Sequence, residues 1–163
     1  MQVCPLDFRY GREAMKQVFD EVKRLQHMLD VEAALARAHA KVGNISGKDA
    51  QVISERANTE YVKIDRVWEI EKSTNHDIMA MVKALTEQCG SSGDFVHLGA
   101  TSNDIVDTVM AIQFKNALLM IEDDLIVLQN AIAELADKHK ETVMVGRTHG
   151  QFAVPLTFGM KMA

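Results

Sequence analysis

Between Gly99 and Gly146 the chain contains neither glycine nor proline, and its apolar residues there fall at helical spacing. They run Ile105, Val109, Ile112, Leu119, Leu125, Leu128, Ile132 and Leu135, with Val106, Met120 and Ile121 between them. That period is helical rather than alternating, and Ser102 or Thr101 can cap its start. At 1.5 Å per residue such a helix reaches roughly 60 Å, about twice the width of a small domain. A helix of that length needs partners along it, so the pattern predicts a bundle, self-association, and an apolar stripe left over for neighbours.

The rest of the chain reads as shorter helices. Met15, Val18, Phe19, Val22, Leu25 and Leu29 make one stripe that ends at Gly43, with a bend placed near Asp30. Ser46 and Asp49 form a capping-box-like start for a helix to about Asn58, Asp65 opens one through Lys72, and a further apolar series runs from Ile78 to Cys89. The glycine-punctuated interval from Gly90 to Ala100 reads as a loop and as the domain boundary. Two apolar runs, Phe95–Leu98 and Thr142–Val145, are too short to build a sheet unaided. From Val154 on, the pattern reads as a helix with Pro155 in its first turn, unfinished at Ala163, so the chain is expected to be the amino-terminal part of something longer. The fold class is therefore all-α: a small helical domain over 1–100, then the start of a long-helix bundle over 101–163.

A net charge of −5 gives no general attraction for nucleic acid or an anionic membrane. Any anionic ligand then depends on local groups, for which Arg9, Arg12 and Arg147 are candidates. Cys4 and Cys89 are too few for a disulfide framework and lack metal-ligand spacing, and no apolar leader or membrane-length run occurs. These features lead to the expectation of a cytoplasmic protein without a metal or cofactor.

Three histidines lie in polar or glycine-punctuated turns: His76 in Thr74-Asn75-His76-Asp77, His97 in His97-Leu98-Gly99-Ala100-Thr101-Ser102-Asn103-Asp104, and His149 in Arg147-Thr148-His149-Gly150-Gln151. Histidine titrates near neutral pH, which suits proton transfer, and no pair of these has the spacing of a local zinc motif. His27, His39 and His139 sit among charged residues on helices and read as solvated. Thr101 and Ser102 offer hydroxyls and free N–H groups at the positive end of the long helix, either a carboxylate or phosphate site or a plain cap. Arg9-Tyr10-Gly11 can grip an anion, or can be an exposed pair before a turn.

Together with Asp7-Phe8 and Pro155-Leu156-Thr157-Phe158-Gly159, these cassettes resemble the adenylosuccinate lyases of the fumarase/aspartase superfamily, in the family's order and across essentially the whole chain. The Gly-Ala-Thr-Ser piece alone would equally suit the carboxymuconate cycloisomerases, whose second cassette usually carries tryptophan where this chain has His149. The resemblance implies a β-elimination that splits a succinyl-amine of the purine pathway into fumarate and an amine, without a cofactor. It implies His149 as general acid and Thr101 and Ser102 on a succinyl carboxylate. It further implies Arg9 and Tyr10 on the nucleotide, His97 near its phosphate, and Asn75, His76, Asp77 and Thr148 lining the same site. His76 is expected to orient His149 or the substrate. The family's base, a serine in a Ser-Ser-x-Met-Pro-x-Lys loop, has no counterpart in Ser91-Ser92-Gly93 or elsewhere in these residues. The family also builds each site from three subunits of a tetramer. Beside the lyase stand two alternatives: a cycloisomerase or other superfamily lyase, and a non-catalytic helical assembly module.

Overall fold

The computed structural model describes residues 10–163. Its elements in chain order are α1 (Glu13–Val18), α2 (Glu21–Lys41), α3 (Gly47–Arg56), α4 (Ile64–Thr74), α5 (Asp77–Cys89), a 3₁₀ helix (Gly90–Phe95), α6 (Ser102–Lys138), β1 (Val143–Thr148), β2 (Gln151–Thr157) and α7 (Phe158–Met162). The molecule is mostly helical, with one two-stranded antiparallel ribbon. It packs as two compact units, one extending to Ala117 and the other spanning Leu118–Ala163.

In the first unit α2 is the organiser. Leu25, Leu29, Ala33 and Ala36 lie at spacings of four, four and three, so one stripe of the helix faces the core. Against it pack Ile53 of α3, Ile78, Met81 and Leu85 of α5, and Ile105 and Val109 of α6. The bend expected near Asp30 is absent, and α2 runs unbroken through it. The break falls at Phe19–Asp20 because the Asp20 carboxylate accepts the N–H groups of Val22 and Lys23 at 3.0 and 3.1 Å, which starts a new helix there. Ser46 caps α3 as its spacing suggests, accepting the Asp49 N–H at 3.1 Å. Gln113 of α6 reaches back to donate to the Val18 carbonyl at 2.9 Å, satisfying the end of α1.

The interval Phe95–Leu98 is not strand: Phe95 ends the 3₁₀ helix and Val96–Leu98 are turn. The 3₁₀ helix is held by Ser92, whose hydroxyl donates to Asp49 at 2.8 Å, and by Gly93, where a Cβ would stand 2.8 Å from Thr86 Cγ2. Ser91-Ser92-Gly93 is thus a packed corner.

The long helix has 37 residues, and from Leu118 onward it leaves much of its apolar surface uncovered. Leu118, Ile121, Leu125, Leu128, Ile132 and Leu135 alternate spacings of three and four, which is the seam of a coiled coil. Five of these six are exposed: Leu118, Ile121, Leu125, Leu128 and Leu135.

The second unit corrects the expectation of helix after Val154. Residues 143–157 form a hairpin instead, with Thr148 opposite Gln151 and Val143 opposite Thr157. His149 and Gly150 both have positive φ, 50° and 74°, the requirement of a two-residue turn whose twist matches the strands. Pro155 is tolerated because in a two-stranded ribbon each strand has a free edge, and the register shifts beside it, between Val145 and Arg147. Gly146 sits at that irregularity, where a Cβ would lie 2.7 Å from Val154 O. Helix begins only at Phe158, with Thr157 accepting the Met160 N–H. No helix among the described residues is long and apolar enough to cross a membrane.

Candidate active site

The cassettes fold into helix ends and turns, and their backbones share one property. Among the described residues, the non-glycine positions with positive φ are Asn75 at 49°, His97 at 62° and His149 at 50°. Each comes from a different cassette. Such conformations cost free energy and concentrate where a site over-determines its backbone.

Asn75 ends α4 in left-handed geometry, its N–H donating to Glu71 O at 2.8 Å. This turn brings His76 to the N-cap of α5, where Nδ1 accepts the Met79 N–H at 3.3 Å. An Nδ1 used as acceptor places the neutral ring's proton on Nε2. Nε2 faces the Ser102 hydroxyl at 3.4 Å, across 26 residues of sequence. Nε2–H therefore donates to Ser102 Oγ, and the serine O–H is left to donate outward. Asp77 turns its carboxylate to its own helix start, accepting the Ile78 N–H at 2.8 Å, with His76 Nδ1 3.6 Å away.

Ser102 opens α6. The Thr101 N–H donates to Asp104 Oδ2 at 2.8 Å, the reach-back half of a capping box. Among the described residues no hydrogen bond occupies the Thr101 hydroxyl, and Thr101 is exposed. Of the first-turn N–H groups, that of Asp104 donates to the Thr101 carbonyl at 3.0 Å, which leaves those of Ser102 and Asn103 with no partner inside the helix. The hydroxyls of the adjacent residues Thr101 and Ser102, the N–H groups of Ser102 and Asn103 and the positive end of a 37-residue helix thus lie at one helix start, which suits a carboxylate.

His97 is held by a buried acid. Glu32 of α2 is 1% exposed; its Oε1 lies 2.6 Å from His97 Nδ1, and its Oε2 accepts the His97 N–H at 3.1 Å. Burial pushes the Glu32 carboxyl up from its ordinary range, and the His97 contacts oppose that shift. His39 is not solvated as expected. Its Nε2–H donates to Leu98 O at 2.8 Å, while Nδ1 accepts from the Asn44 amide at 2.9 Å. His139 likewise lies edge-on to Phe158, with ring centroids 5.2 Å apart. His27 lies 3.7 Å from Asp30.

Tyr10 is 62% exposed on a groove with Met15, Lys16 and Phe19. Arg9 lies outside the described residues. In the second unit, Thr148 and His149 form the exposed hairpin tip, and Arg147 spends its guanidinium over the Phe152 ring at 5.1 Å. Thus the structure brings Asn75, His76 and Asp77 together with Ser102 and Thr101, and pairs His97 with an acid that the sequence reading did not single out. No group of three or more histidine, cysteine, aspartate or glutamate side chains that could hold a metal ion occurs among the described residues.

Known proteins are similar to this chain in sequence and in fold. The chain is 60% identical over all of its 163 residues to the adenylosuccinate lyase of Pyrococcus abyssi, of which it spans 36%. Among solved structures it superposes with a TM-score of 0.88 on the 3-carboxy-cis,cis-muconate lactonizing enzyme of Pseudomonas putida, at 36% identity, covering 96% of this chain and 36% of that one. It superposes at 0.86 on a fumarate lyase from Mesorhizobium sp. BNC1, at 34% identity, covering 94% of this chain and 37% of that one. The chain therefore spans about a third of the length of these relatives. The family model described as lyase matches residues 7–163, a range that contains all the cassettes, and the chain belongs to that family.

Proposed function

We propose that this chain supplies the carboxylate-binding and proton-donating parts of an adenylosuccinate lyase. Such an enzyme eliminates fumarate from adenylosuccinate to leave AMP, and performs the same elimination on the succinyl-aminoimidazole carboxamide ribotide. The observation that carries the reading is the His76–Ser102 contact at the amino end of α6, where two distant cassettes converge on an anion-binding helix start. A succinyl group presents carboxylates, and elimination builds further negative charge beside one of them, so fixed donors there favour the transition state over the ground state.

In this reading Thr101 and Ser102 hold a succinyl carboxylate, and His76 orients the serine hydroxyl. Asn75 and Asp77 shape the same turn. Tyr10 and Arg9 take the nucleotide, His97 its phosphate, and Thr148 the substrate beside His149. His149, at an exposed turn with its ring available, gives a proton to the leaving nitrogen. The resemblance assigns the carbon-bound proton to a serine of a Ser-Ser-x-Met-Pro-x-Lys loop that these 163 residues do not contain. Ser92 is unsuited to that task because its hydroxyl is committed to Asp49. These residues alone are accordingly expected to release no fumarate. The exposed seam on α6 supports assembly with further copies, with a homotetramer as the proposed state and the cytoplasm as its setting.

The likeness to a lactonizing enzyme supports a second reading, a carboxymuconate cycloisomerase. The intact protein given adenylosuccinate, and separately 3-carboxy-cis,cis-muconate, decides between them. Fumarate release from the first supports the lyase, whereas lactone formation from the second with no fumarate from the first supports the cycloisomerase.

A further inference from the structure

Glu32 is a carboxylate on the buried stripe of α2, next to Ala33 and one turn from Leu29 and Ala36. An ion pair in such a place is a poor stabiliser compared with apolar residues of similar volume, because desolvating two charges offsets their attraction. Its geometry is nevertheless specific. One oxygen meets the His97 ring at Nδ1 and the other accepts the His97 backbone N–H, so a single carboxylate fixes both the ring and a left-handed backbone at φ 62°. Seven positions along the same helix, His39 donates to the next carbonyl, Leu98 O. Two side chains on one face of α2 therefore pin residues 97 and 98. With Nδ1 committed, Nε2 is the remaining ring nitrogen, and among the described residues nothing hydrogen-bonds it.

We propose that Glu32 is a positioning residue for phosphate recognition: by accepting both the Nδ1–H and the backbone N–H of His97 it fixes the ring and its turn so that Nε2 faces a phosphate monoester. The choice of a nucleotide phosphate as the anion rests on the functional reading above. The carboxylate never touches the ligand. It acts through the ring, as carboxylates behind catalytic and metal-bound histidines do, by fixing the ring's orientation and which nitrogen carries a proton. A glutamine of the same size keeps only one acceptor oxygen and presents an NH2 donor in place of the other, so it pairs with Nδ1 only by reversing which ring nitrogen carries the proton.

The test uses the intact protein and the variants Glu32→Gln, His97→Gln and the double variant, with AMP and adenosine as probes. Glu32→Gln is expected to weaken AMP binding and raise the nucleotide-substrate KM about tenfold or more, the scale of a charge-assisted hydrogen bond. Adenosine binding and kcat should change by less than about threefold. In the His97→Gln background the same substitution should add nothing further, because Glu32 acts only through that ring. Equal loss of AMP and adenosine affinity, or full additivity in the double variant, overturns the proposal. Should Glu32→Gln fail to fold, ¹⁵N-histidine NMR of the wild type decides. A protonated Nδ1, with Nε2 responding to added AMP, supports the assignment, and an unprotonated Nδ1 overturns it. Failure of the functional reading looks different: the wild type would release no fumarate, whatever the state of the His97 ring.

Discussion

Asn75, His97 and His149 owe their positions to local backbone chemistry as much as to packing. Each stands in left-handed geometry where a non-glycine side chain is strained, and each strain is offset by a specific partner or a neighbouring glycine. For the carboxylate patch the account makes a direct prediction. Replacing Thr101 and Ser102 by alanine in the intact protein should weaken fumarate binding about tenfold or more, while helix content by circular dichroism barely changes. A lost cap costs only about 1 kcal/mol, and Asp104 still holds the Thr101 N–H. An unchanged fumarate affinity in calorimetric titration would return the pair to a capping role. The histidines of these cassettes were legible in the sequence because they sit in turns. Glu32 was not. It lies 65 residues from His97, and in an alanine-rich helical run it has the look of an ordinary surface charge.

At the level of elements, α4 and α5 are joined across their surface by Arg66, which donates to both oxygens of Glu87 at 3.0 and 2.6 Å and to Glu69 at 2.7 Å. The guanidinium holds the Glu87 carboxyl below its ordinary 4.5. A carboxyl lowered in the folded state contributes stability above its unfolded pKa and loses it as pH falls through the folded value. The melting temperature should therefore fall between about pH 5 and pH 3 by more in the wild type than in Glu87→Gln, the difference being small because the pair is half-exposed and screened. Parallel melting curves against pH for the two proteins would contradict it. Elements with strong signals along the chain were legible: α6 follows from a long glycine- and proline-free stretch with helical periodicity, and the Ser46 cap of α3 from residues within one turn. The hairpin was not. Its turn is His149-Gly150 rather than a stronger turn pair such as Asn-Gly, and its alternation is broken at Gly146, where a bulge shifts the register. The break before α2 was displaced for a similar reason, since one capping carboxylate at Asp20 outweighs a continuous apolar stripe.

On the scale of the whole molecule, the two units differ in how they bury apolar surface. The first closes its own core around α2, whereas α6 beyond Ala117 presents Leu118, Leu125 and Leu128 at 63, 57 and 54% exposure. A seam of this kind is stable when other helices cover it. Replacing Leu118 and Leu125 together by glutamate in the intact protein is expected to shift the species seen by light scattering to smaller assemblies. An unchanged mass would mean that this stripe does not mediate self-association. The central claim is that His149, held at the exposed tip of the β1–β2 turn, protonates the leaving nitrogen. The measurement that tests it most directly is fumarate release from adenylosuccinate by the intact protein and by His149→Gln, with substrate affinity measured in parallel. The account predicts that kcat falls by about 10² to 10⁴ while the substrate still binds; near-normal turnover in the variant would contradict it.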